Sequence, residues 1–502
     1  MKYIKHYIVI ICILGIVFSE ITRLDNCIQK HSRVGRVTYQ YEEILESEHF
    51  LVHYTNSPLD SQFVNGNLTF PMTNENYVQS IIELLEYTLP FYLQQGWEIF
   101  PPDCDESIID LNSEDNCINF GGNSKYDVYI SNFGVGLVAP ENIYQEEPYT
   151  SGWTSYMHIS SFQNLYQTYP TWSHHVIAHE LHHAIQLRYG YGTSGNPGNY
   201  SHNAWFFEQS ATYMEDVIFP YSTHLRTMLS NCNVVTPLTF PEHPIGYPYE
   251  IYPYRSALWP KFLVENYGDS SILRYQWEEY GLQYANGQNI SLYPIYDNSI
   301  QIATNGSVSM EKAIADYGLW RYFTGERFLE NYFFDEANYY CTSKIIQPEE
   351  IDSIITKNGS AKFIELPNLD KNVYIETNNS IINASYLKIN NEELVIQEIN
   401  FDNPQFNYFS EENTEHILII TSGYSDNESE KVGVTISLNE PILIGDINGD
   451  LVLNVIDIVQ LVNQILENTQ YDNEQLQIID LNQDELVNIL DIVILINLIL
   501  YI

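Results

Sequence analysis

The sequence predicts an α+β protein in three parts: a mixed sheet-and-helix region, a β-sandwich and a small all-α module. Three observations carry this reading. Over residues 35–345, short alternating strand-like stretches give way to long helical ones. From 343 to 440, short apolar runs are cut by Asn, Asp, Gly and Glu turns. The last sixty or so residues then repeat an acidic loop that leads into an apolar helix.

The chain begins with Lys2 and Lys5, an apolar run from Tyr7 to Phe18, and then Ser19. That is the layout of a secretory signal peptide over residues 1–19, with Ser19-Glu20 as the cleavage point. Its apolar core is short against the roughly 20 residues a membrane span needs. No later stretch before the C-terminal module could cross a bilayer, so no span remains after signal removal. Export agrees with the cysteines. Cys12 leaves with the signal, and Cys104 and Cys117 bracket an acidic loop and pair most readily. Cys232 with Cys341 is the other pairing considered, which leaves Cys27 over. There is no C-x-x-C pair, so a thiolate zinc site is not supported. A net charge of −44 argues against nucleic acid and anionic membrane as partners, because both would be repelled.

In the first part, residues 48–55, 125–130 and 155–160 alternate like strands. Residues 74–95 form a helix with Gly96 beyond its end and a kink expected at Pro90. The stretch 171–190, TWSHHVIAHELHHAIQLRYG, reads as an amphipathic helix closed by glycine. It contains H-E-x-x-H from His179 to His183. Residues i and i+4 share a helical face, so His179 and His183 can grip one metal ion. Glu180 would then sit beside a metal-bound water and take its proton.

A catalytic zinc site of this kind needs a third ligand, often a carboxylate from a neighbouring helix. Residues 205–216, WFFEQSATYMED, offer one in Glu208, on a helix starting near Ser201 or Asn203. Glu215, two turns further along, is the rival, expected to form a salt bridge or face solvent. HELHH followed by W-x-x-E-x-x-A-x-Y resembles the gluzincin metalloproteases, and within them the aminopeptidase-like branch. The resemblance implies a zincin-like fold, His179, His183 and Glu208 as zinc ligands, and Glu180 as general base. The gap between His183 and Glu208 is longer than in familiar gluzincins, and residues 191–203 read as a Gly/Asn loop. By the same analogy, residues 155–160 are either the edge strand to which an extended peptide adds or an ordinary sheet strand. Residues 252–268 resemble the helix that follows the active site in such enzymes. Tyr254 is its candidate oxyanion donor, with a core tyrosine as the alternative. Helical residues 315–328 close the region, and residues 35–345 as a whole resemble secreted bacterial metalloproteases of the gluzincin type.

Residues 346–440 carry no catalytic constellation. A spacer and a carbohydrate-binding β-sandwich are both open. In 444–502 two loops align, with oxygen-bearing side chains at positions 1, 3, 5, 9 and 12. They are Asp446, Asn448, Asp450, Asn454 and Asp457, then Asp480, Asn482, Asp484, Asn488 and Asp491. With a backbone carbonyl at position 7 (Val452, Leu486), each loop can wrap one Ca²⁺. The duplicated loop-helix resembles the dockerin type I module, which implies a cohesin-like partner. Position 6, where glycine is expected, holds Leu451 and Glu485, so a residue with a Cβ must take the sharp turn. Positions 10 and 11 are apolar in both loops, so the usual cohesin-recognition pattern is not legible.

These readings converge on a secreted zinc metallopeptidase with protein or peptide substrates, tethered by a calcium-binding module. The alternatives are a non-catalytic scaffold that binds peptide or polysaccharide and zinc hydrolysis of a non-peptide substrate.

Overall fold

The computed structural model describes residues 35–64, 66–113, 116–161, 172–193, 196–197, 204–249, 251–286, 290–330, 332–346, 354–356, 358–377, 381–390, 393–424, 432–441, 443–467, 471, 473–484 and 486–501. The signal peptide, Cys27, Ser201, Asn203 and Glu485 lie outside them. The chain divides into two compact units. One is Met1–Lys344 with Thr356–Lys362 and Thr421–Lys431; the other is Ile345–Ile355, Phe363–Ile420 and Val432–Ile502.

The first unit is built on a five-stranded sheet. Its strands are β1 (Glu43–Glu46), β2 (Phe50–Tyr54), β5 (Tyr126–Ser131), β6 (Gly136–Glu146) and β7 (Tyr149–Ser160). A separate hairpin pairs β3 (Gln62–Val64) with β4 (Asn67–Thr69). The sheet order is β1-β2-β5-β7-β6, with β2, β5 and β7 parallel and the two outer strands antiparallel to their neighbours. Residues 155–160 therefore lie in an interior strand, and the edge beside them is β6. The reason is that β6 and β7 form a long hairpin, which carries the chain one strand further out before it turns back.

Alternation along the strands separates two faces. Phe50, Val52, Val128, Ile130, Met157 and Ile159 enter the main core with the helices. Tyr129, Leu137, Ala139 and Tyr156 pack with Tyr39 in a second layer on the other side. In that layer Arg36 bonds Asp103 at 2.6 Å and Glu141 at 2.8 Å, and also meets Asp127. Both disulfides of the unit, Cys104–Cys117 and Cys232–Cys341, are formed.

Helix α1 (Glu75–Gln94) is capped by the Asn74 side chain, which accepts from the Tyr77 amide. It continues through Pro90 and turns Val78, Ile81, Leu85, Leu89 and Tyr92 inward. Helix α2 (Trp172–Tyr189) carries H-E-x-x-H. It is buried from His175 to Tyr189, so its polar face meets other helices and the sheet instead of water. Two short arms, β8 (Gly192–Thr193) and β9 (Asn196–Pro197), pair within the loop that follows. The remaining helices are α3 (Ala204–Ile218), α4 (His224–Leu229), α5 (Tyr252–Arg255), α6 (Leu258–Tyr267), α7 (Ile272–Ala285), α8 (Leu292–Ala303) and α9 (Met310–Tyr322). The single helix expected over 252–268 is thus two, parted where Ser256 Oγ donates to the Pro253 carbonyl. The helix expected to reach Phe328 ends at Tyr322, and Gly325 follows at φ +61°.

In the rest of the chain, β10 (Ile354–Thr356), β12 (Lys371–Thr377), β15 (Gln405–Tyr408) and β17 (Val432–Asn439) form one four-stranded sheet. A second holds β11 (Ala361–Leu366), β13 (Ile382–Ile389), β14 (Leu394–Glu398) and β16 (Glu415–Ser422). Ile364, Val373, Ile375, Leu418, Ile420 and Val434 share one core. The second unit ends in α10 (Val455–Leu466), α11 (Asn473–Ile479) and α12 (Ile489–Tyr501), joined through Leu461, Ile479 and Leu495. Among the described residues no helix is long and apolar enough to cross a membrane.

Candidate metal centres

Helices α2 and α3 bring three of the expected residues together. His179 Nε2 lies 3.1 Å from His183 Nε2 and 3.1 Å from Glu208 Oε2. His183 Nε2 and Glu208 Oε2 are 3.3 Å apart, and all three residues are buried. The hydrogen bonds on the far side of each ring decide what these atoms offer. Gln186 donates through Nε2 to the Phe207 carbonyl at 3.0 Å and to Ser210 Oγ at 2.8 Å. This orients its amide, so Oε1 accepts from His183 Nδ1 at 2.7 Å. Glu215 Oε1 likewise accepts from His179 Nδ1 at 2.9 Å. With both neutral rings protonated at Nδ1, each Nε2 presents a lone pair.

Two imidazole lone pairs and a carboxylate oxygen therefore converge. Three acceptors so close repel one another, and a cation between them removes the repulsion. The triangle also has the right size. Ligands at about 2.0–2.1 Å from a tetrahedral zinc stand roughly 3.3–3.4 Å apart, close to the separations here. The donor set fits zinc. Burial raises the Glu215 carboxyl, but His224 and the hydrogen bonds from His179 and His224 outweigh it and pull it down to about 2.

Glu215 is thus neither a ligand of this triangle nor exposed to solvent. Seven residues on a helix make nearly two whole turns, so it shares the face of Glu208 and reaches the other edge of the same imidazole. That spacing and Gln186, three residues after His183, are legible in the sequence; which ring nitrogen each one grips is not. His182 is a core residue. It is fully buried, stacks on Tyr92 at 5.5 Å and meets Trp97 edge-on at 5.1 Å. Glu180 is 3 % exposed and lies against Gly136 of the edge strand, where an added Cβ would stand 2.6 Å from its Cγ and Oε1. Tyr254 is half-buried and stacks on His179, ring centres 5.6 Å apart at 18°.

In the C-terminal helical module the two acidic loops repeat much of each other's hydrogen bonding. Asp457 accepts from the Ile447 and Asn454 amides at 2.9 and 2.8 Å; Asp491 accepts from Leu481 and Asn488 at 2.8 and 2.7 Å. Asn448 Nδ2 donates to Asp450, and Asn482 Nδ2 to Asp484, both at 2.8 Å. Asn454 and Asn488 each donate to the carbonyl at position 7, Val452 and Leu486, at 3.0 Å. Asp446 Oδ1 accepts from the Gly449 and Asp450 amides, and Asp480 Oδ1 from Asp484. Asp457 and Asp491 are fully buried, yet residues 444–502 contain no Lys, Arg or His. Inward carboxylates with no basic side chain from their own module are a donor set for a hard dication. At position 6, Leu451 adopts φ +62°, the left-handed turn that the missing glycine would have eased. Positions 10 and 11, Val455, Ile456, Ile489 and Leu490, are all exposed.

No curated protein matches the chain. Residues 444–500 match the family model described as Dockerin type I domain, and over those residues the chain carries a calcium-binding module of that kind.

Proposed function

We propose that the first unit is a secreted zinc-dependent peptidase, tethered to a cohesin partner by the dockerin module. The observation that carries the reading is the convergence of two imidazole Nε2 atoms and a carboxylate oxygen, with Glu180 one residue after His179 on the same helix. Zinc held by His179, His183 and Glu208 would supply Lewis acidity to a carbonyl and bring the pKa of water to about 7.

The chain's own residues account for the remaining steps. Glu180 takes a proton from the attacking water and returns it to the leaving amine as the peptide C–N bond breaks. Tyr254, stacked on a ligand, is in the right neighbourhood to donate its hydroxyl to the oxyanion. The outer edge of β6, whose Gly136 touches Glu180 and which pairs with no further strand among the described residues, can add an extended peptide as one more strand. The exposed apolar residues at positions 10 and 11 of both loops give the tether a surface on which to bind.

The test is zinc content and casein hydrolysis of the secreted protein, with Glu180→Gln alongside. About one zinc per chain in both, with hydrolysis in the wild type alone, is the expected result. If neither protein binds zinc, the peptidase reading fails and a binding scaffold takes its place.

A further inference from the structure

We propose that His224 is a positioning residue for the metal ligand His179, acting through Glu215; the inference rests on the zinc reading above. Glu215 is 2 % exposed, and its two oxygens have different partners. Oε1 accepts from His179 Nδ1 at 2.9 Å, and Oε2 accepts from His224 Nδ1 at 2.5 Å. A carboxylate held at one oxygen can still swing about its terminal bond. Held at both, it keeps Oε1 in the imidazole plane of His179 and keeps that ring's Nε2 aimed at the triangle. A partner of a ligating histidine that fixes its tautomer and orientation is worth about 10–100-fold in metal affinity. His224 extends that control by one residue.

The His224 ring is itself held in place. It stacks on His175, ring centres 4.3 Å apart at 17°, and Trp172 meets it edge-on at 6.2 Å. Helix α4 places it nine residues after Glu215, past the turn at Pro220.

His175, Glu215 and His224 are also close enough to suggest a second metal. Their geometry favours a hydrogen-bonded clamp. Stacked rings point their in-plane lone pairs side by side, so the two cannot meet at one ion. The 2.5 Å contact between His224 and Glu215 is a hydrogen-bond length, shorter than two ligands of one zinc stand apart.

The test is zinc affinity of the full secreted chain, measured by competition with a chromophoric chelator. The set is wild type, His224→Ala, His224→Asn, Glu215→Ala, and His224→Ala combined with Glu215→Ala. Truncating His224 also removes its contacts with His175 and Trp172, so the melting temperature of each zinc-free protein is measured beside its affinity, and His224→Asn separates the lost donor from the lost ring. His224→Ala should weaken zinc by about 10-fold. His224→Asn should restore affinity, because its Nδ2 donor stands where Nδ1 stood. Without Glu215, His224→Ala should add nothing. Unchanged affinity in His224→Ala overturns the clamp, as does an equal loss in the Glu215→Ala background. Two zinc ions per wild-type chain, one of them lost in His224→Ala, would make the cluster a metal site and overturn it too. A wild type without zinc removes the reading on which the clamp rests, a result distinct from all of these.

Discussion

Replacing Gly136 by alanine tests the placement of Glu180, the proposed general base, without touching any proposed ligand. A Cβ at this position would stand 2.6 Å from Glu180 Cγ and Oε1 and 2.9 Å from Cδ. Carbon–carbon contacts settle at about 3.5–4.0 Å, so base and strand must part by about 1 Å. Glu180 sits on α2, which is buried along its length, so the displacement falls on its side chain and on the edge strand β6. A misplacement of about 1 Å at a reacting group costs on the order of 100-fold in rate, or about 2.7 kcal/mol of barrier. The assay is kcat/KM on casein together with zinc content, for wild type, Gly136→Ala and Gly433→Ala. The last is a control, since Gly433 has nothing within 4 Å of its added Cβ. We expect Gly136→Ala to fall about 100-fold with zinc retained, and Gly433→Ala to match wild type. Full activity in Gly136→Ala would refute the role given to Glu180 and this strand, and loss of zinc would show that the damage lies elsewhere.

Two further expectations concern calcium and protons. Calorimetric titration should find two Ca²⁺ per chain and one in Asp457→Asn, and calcium at 100 times its Kd should stabilise the module by about 2.7 kcal/mol per occupied site. Equal binding by Asp457→Asn would refute the loop assignment. His158 is fully buried, and desolvation, helped by Arg36, pushes it from 6.5 down to about 3. Its folded pKa lies below its unfolded one, so the unfolded chain takes up the proton first and stability falls as pH drops below 6.5. Between pH 8 and pH 5 this residue should account for about 2 kcal/mol of lost stability. In urea titrations at both pH values, His158→Phe should lose that much less than wild type. An identical loss in the two proteins would refute the assignment.

The sequence by itself determined whatever depends on spacing along one element. H-E-x-x-H fell on a helix because four residues return to one face, and the two acidic loops were legible because ligand order along a twelve-residue loop is local. The strands at 50–54 and 126–131 were visible from alternation. The dockerin module matched its family over 444–500 for the same reason.

Only the tertiary structure decided what depends on which elements meet. Strand β7 was readable, but its interior place was not, because sheet order is set by the β6–β7 hairpin folding outward. Glu215 was legible on the face of Glu208. That it grips His179 and not solvent required α4 to arrive with His224. His182 and His183 are adjacent in sequence and identical in type. One enters an aromatic core against Tyr92 and Trp97, and the other meets Gln186 and Glu208. The helix turns about 100° between them, and only the packing around α2 assigns each side its environment.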